Sequence, residues 1–124
     1  MDADERVYAR MKGIAAEITA GGEYYFWIKD APACLEALVC AGLACIGIDG
    51  FVKENGGHME PLVWIFDGSP EDHPFPDWEA FRCEINDRAR THLAKIEADG
   101  AHGCSFVAID EREWHKVVGG EDCP

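Results

Sequence analysis

The stretch from Leu43 to Asp67 constrains this chain most. Two apolar runs, Leu43–Val52 and Leu62–Phe66, flank the polar segment Lys53-Glu54-Asn55-Gly56-Gly57-His58. Asn-Gly tolerates the positive φ of a type I′ turn, so this pattern predicts a β-hairpin. The second run is apolar on both faces. That suits a central strand covered on both sides, and periodicity alone leaves a buried helix open as the alternative. Pro61 cannot donate to a ladder, so the arms are expected to splay near the turn. Strict alternation in the first run puts Ala44, Ile46 and Ile48 on one face and Cys45, Gly47 and Asp49 on the other. The bulkier face is expected to meet a helix. A bulge is expected at Gly50, letting Phe51 change phase.

The flanking segments supply the other layer. Val7, Met11, Ile14 and Ile18 recur at helical spacing, predicting a helix over 3–20 that ends at Gly21-Gly22. Residues 23–29, centred on Tyr24-Tyr25-Phe26-Trp27-Ile28, read as a strand. Asp30 followed by Pro32 reads as a capped helix start; Leu35, Leu38 and Val39 form its stripe and Gly42 its stop. Strand, helix and strand in succession predict a right-handed crossover with parallel strands. Gly68–Pro76 reads as a loop. Asp77 is placed to cap a long helix running to about Ala98, with Trp78, Phe81, Ile85, Ala89, Leu93 and Ile96 as its apolar stripe and Gly100 as its end. Cys104–Ile109 reads as the last strand. Residues 110–124 are weakly patterned, with Trp114, Val117 and Val118 forming a short strand or a packed tail. The expectation is one α+β domain over 1–124: a layered, mixed sheet of about four strands around a central hairpin, packed against about three helices.

Charge bears on partners rather than on fold. The chain carries 24 acidic and 11 basic side chains, a net charge of −13. Such a field repels nucleic acid and anionic membranes and attracts basic surfaces. Met1–Arg6 is charged and has no apolar core of a secretory signal, and no run approaches the length of a membrane helix. A cytoplasmic protein is expected. Cys34, Cys40, Cys45, Cys83, Cys104 and Cys123 are then read as thiols, mostly buried as small hydrophobes, with Cys123 in a polar tail the most reactive.

Motifs for chemistry are sparse. The five histidines and six cysteines show no C-x-x-C or H-x-x-x-H spacing, so no metal and no cofactor is expected. Ser69 and Ser105 lie outside any G-x-S-x-G elbow, and Gly56-Gly57 joins strand to strand rather than strand to helix. Two carboxylates, Asp49 and Asp67, stand near the ends or paler faces of the hairpin strands and are the candidates for acid–base work. From Asp67 to Glu79 the acidic residues are Asp67, Glu71, Asp72, Asp77 and Glu79, with no Lys or Arg among them.

Several short segments carry a likeness. Leu35-Glu36-Ala37-Leu38 with Gly42, then Ile46-Gly47-Ile48-Asp49-Gly50-Phe51, the glycine turn with Pro61, Asp67-Gly68-Ser69 and Trp78-Glu79 together resemble the alpha-plus-beta immunity proteins of bacterial polymorphic toxin systems. The likeness spans about residues 30–97 and its motifs are short and mostly structural. It implies a non-enzymatic protein that binds and neutralises a cognate toxin, often a nuclease or another intracellular enzyme. With the charge pattern, it makes Glu71, Asp72, Asp77 and Glu79 the expected contacts to a basic toxin surface, and Asp49 the next. Two other classes stand beside it: a small enzyme using Asp49 and Asp67, and an acidic adaptor or nucleic-acid mimic.

Overall fold

The computed structural model describes residues 17–18, 24–54, 57–59 and 64–119. Most of the helix expected over 3–20, the turn residues Asn55-Gly56, Pro61 and Cys123 lie outside these. Strand β1 is Glu17–Ile18, which falls within that expected helix and pairs instead with β2, Tyr24–Trp27. Helix α1 spans Ala31–Cys40 and strand β3 Ala44–Glu54. Two short strands follow, β4 at Gly57–Met59 and β5 at Ile65–Asp67. A 3₁₀ turn at Pro70–Asp72 leads into helix α2, Trp78–Ala98. Strand β6, Gly103–Ile109, and helix α3, Glu111–Val118, complete the order.

The fold is α+β. The sheet order is β1-β2-β6-β3-β4, with β5 also on β3. Every pairing among the described residues is antiparallel. The crossover from β2 through α1 to β3 does leave those two strands running the same way, but β6 lies between them and opposes both. The last strand to form in sequence thus fills the gap that the crossover leaves open. The hairpin is present: Glu54 pairs with Gly57 across a two-residue gap, and Val52 with Met59. Leu62 and Val63 of its return run lie outside the described residues, and Ile65 and Phe66 stand on β5. Among the described residues strand β5 pairs only with β3, at the edge, and Ile65 is 44% exposed. Apolar content without a second neighbour marks this edge rather than a covered strand.

The expected bulge lies four residues earlier than Gly50. Cys45 faces Ala108 and Gly47 faces Val107, so Ile46 is the extra residue. The phase shift brings Cys45 and Ile48 into one core cluster with Leu35, Ala89, Leu93, Ile96 and Cys104. Ala44, with Ile46 beside it, joins a second cluster of Trp78, Phe81, Ile85 and Trp114. Gly50 stays in register opposite Cys104. A Cβ there would come within 3.1 Å of Trp64 Cβ and 3.2 Å of Ile96 Cδ1, so its role is close packing of α2 on the strand.

Both long helices end as expected. Gly42 (φ +85°) and Gly100 (φ +100°) take the left-handed conformation. Their N–H groups donate to Val39 O and Glu97 O, and the following Leu43 and Ala101 donate to Leu38 O and Ile96 O. This double bond pattern satisfies carbonyls that the helix end would leave open. At the other end of α1 the side chain of Asp30 makes no cap hydrogen bond; Pro32 alone marks the start.

Candidate functional site

The acidic segment after β5 is a braced turn. Asp67 Oδ1 accepts from the Ser69 N–H at 2.9 Å, and the Gly68 N–H donates to Ile46 O at 2.8 Å. A Cβ on Gly68 would lie 3.1 Å from the Phe66 ring and 3.3 Å from Ile85 Cδ1, so the residue lets the chain lie flat on the core. Pro70 is buried and opens the 3₁₀ turn. Ser69 Oγ donates to Asp72 Oδ2 (3.2 Å), and the Asp72 N–H donates to Ser69 O (3.2 Å). The His73 ring, through Nδ1–H, donates to the same carbonyl at 3.0 Å. Phe75 then packs edge-on against Phe81, and the Arg88 guanidinium lies 6.0 Å from the Phe75 ring centre.

This bracing sorts the four expected contact residues. Glu71 and Asp72 are exposed on the turn. Asp77 is the helix cap, its Oδ1 accepting from Ala80 N–H at 2.8 Å. Glu79 is paired: Arg82 Nη2 approaches its Oε2 to 2.6 Å, and that hydrogen bond holds the Glu79 carboxyl below its ordinary value. Glu79 therefore has a compensating cation, although no Lys or Arg lies between Asp67 and Glu79. Arg82 lies just beyond the stretch free of basic residues, one helical turn on, where α-helical spacing returns it to the carboxylate. All four are exposed, but only Glu71 and Asp72 neither cap a helix nor pair with a cation among the described residues.

The fold brings a further acidic helix start beside this turn. Helix α3 packs against the 3₁₀ turn. Its start is a capping box: Asp110 Oδ1 accepts from Glu113 N–H, and Glu113 Oε1 accepts from Asp110 N–H, both at 2.9 Å. Glu111 is exposed beside this cap and is paired with His115 Nε2 at 3.2 Å within the helix. The spacing of Asp110 and Glu113 ahead of Trp114 was the available signal.

Asp49 and Asp67 share the sheet face that alternates away from the core residue Ile48. Asp49 stands opposite Ile65 and Ser105; Gly47, one rung along on the same face, stands opposite Asp67 and Val107. The two carboxylates are therefore diagonal neighbours, a relation that spaces residues by about 7–8 Å. Asp67 is committed to its turn, and the Ser69 hydrogen bonds hold its carboxyl below the ordinary range. The pair shares a face, with Asp49 half-buried and Asp67 exposed.

Among the described thiols, Cys34, Cys45 and Cys104 are buried, whereas Cys40 and Cys83 are exposed. Burial pushes Cys34 up to about 11 and Cys45 to about 12, and it raises Cys104 as well. Raised thiols of this kind are poor nucleophiles. Cys40 and Cys83 depart from the expected burial because each lies on the outward side of its helix. Among the described residues, no group of three or more His, Cys, Asp or Glu is placed to hold a metal ion. No helix among them is long and apolar enough to cross a membrane. Set against known families, curated proteins and solved structures, the chain finds no match.

Proposed function

We propose that this chain is an immunity protein, one that binds a cognate bacterial toxin and covers its active site or substrate groove with an acidic surface. The observation that carries the reading is the braced turn with Glu71 and Asp72 exposed on it. A turn already tied down by its own hydrogen bonds loses little entropy on docking. Its charge, on a chain of net charge −13, favours a basic partner and speeds encounter with it. The resemblance of the segments between residues 30 and 97 to immunity proteins points the same way. The small-enzyme reading through Asp49 and Asp67 draws support only from their common face, and the adaptor or nucleic-acid-mimic reading only from net charge.

The experiment is a binding-kinetics series with the product of the neighbouring reading frame, comparing the unmodified chain with Glu71→Lys and with Glu71→Lys/Asp72→Lys. A stoichiometric complex is expected. Association of the double variant should be slowed severalfold at low salt, with the gap closing as ionic strength passes about 0.1 M, where the screening length is about 10 Å. Association unchanged at every salt concentration would move the interface off this turn, and the absence of any stoichiometric complex would remove the immunity reading.

A further inference from the structure

We draw no further inference here: the strongest candidate, the sheet face around Gly47 where Ile65 and Val107 stand exposed beside Asp67, carries nothing because nothing in the structure shows what covers it.

Discussion

Asp77 and Asp110 each stand ahead of a helix and accept from the backbone N–H three residues on, at 2.8 and 2.9 Å. From that common start the two helices diverge. Helix α2 runs 21 residues and buries Trp78, Phe81, Ile85, Asn86, Ala89, Leu93 and Ile96. Helix α3 runs eight residues and buries Trp114 alone, leaving Val117 and Val118 at 42% and 45% exposure. Helix α2 also closes on a left-handed glycine, whereas Gly119 after α3 has φ −81°. A cap decides where a helix begins. Burial along one face decides how firmly it is held, because short helices in water are marginal on propensity alone.

The largest test of this difference is truncation of the buried rings. Phe81 and Trp114 meet in one cluster, with centroids 6.0 Å apart. Phe81→Ala should cost about 3–5 kcal/mol and lower the melting temperature of the whole domain. Trp114→Ala should fall at or below the low end of that range, because α3 has no other buried residue and can move away as its site collapses. Hydrogen exchange should then speed up across 111–118 while the amides near Leu93 stay protected. Equal losses for both variants, with α2 amides opened in each, would show that α3 belongs to the main cooperative core. The double variant should lose less than the sum, since the rings are in contact.

The next test concerns Asn86, the one buried polar side chain of the described core. Its Oδ1 accepts from Cys45 N–H at 2.8 Å and its Nδ2 donates to Leu43 O at 3.0 Å. The amide thus satisfies the edge of β3 just before the bulge, as a neighbouring strand would, and fixes α2 in register on the sheet. Asn86→Ala should cost about 1–3 kcal/mol beyond the lost packing, because two buried backbone groups are left without partners. Asn86→Leu restores volume but not the hydrogen bonds, so it should recover little. A fully stable Leu variant would assign the position to packing alone. Helix α3 has no counterpart to this bridge.

How much of this was legible follows the same division. The stripe of α2, its Asp77 cap and its Gly100 stop were all readable, because burial of one helix face imposes its own period. Asn86 was not, since a polar residue within a stripe carries no sign of which backbone groups it will meet. The bulge at Ile46 was hidden for a related reason: Ala, Cys and Ile are all apolar, so the phase of Ala44–Ile48 is silent in sequence. Helix α3 differs from the short strand or packed tail expected over 110–124, because a single buried Trp114 gives no periodicity, although its capping box is written in Asp110 and Glu113. The acidic turn was legible as charge. Its bracing depends on geometry that composition does not encode, whereas Arg82 stands three residues after Glu79, a helical pairing that spacing alone carries.

A smaller effect separates the caps themselves. Removing either cap, as Asp77→Ala or Asp110→Ala, should cost about 0.5–2 kcal/mol of helix stability. In α2 the buried face should hold the remaining turns, so the loss should fray only the first turn. In α3 the same loss also breaks the reciprocal Glu113 bond. Exchange should therefore accelerate through the whole of 111–118. If Asp110→Ala frays only residues 111–113, α3 is held by more than its cap and Trp114.

The smallest effect is electrostatic and ties α2 to α1. Arg90 Nε and Nη2 donate to Glu36 at 2.7 and 3.0 Å, and Nη1 donates to Asp87 at 2.6 Å. The hydrogen bond from Arg90 is the main cause holding the Glu36 carboxyl below its ordinary 4.5. A carboxyl depressed in the folded state stabilises at pH values above its unfolded pKa, and the contribution fades as pH falls through the folded value. Both side chains are substantially exposed, at 39% and 52%, so solvent screens the pair and its worth is about 0.2–1 kcal/mol. Glu36→Gln should therefore be slightly less stable than the unmodified chain at pH 7. The difference should shrink below pH 4.5 and be gone once Glu36 is protonated in both states. High salt should narrow the gap at neutral pH. Helix α3 makes no such pair to another helix among the described residues, so its lone Glu111–His115 contact gives a control. Glu111→Gln should leave the docking of α1 on α2 unchanged at every pH. A constant offset between Glu36→Gln and the unmodified chain from pH 3 to 7 would mean that the pair acts through shape rather than charge.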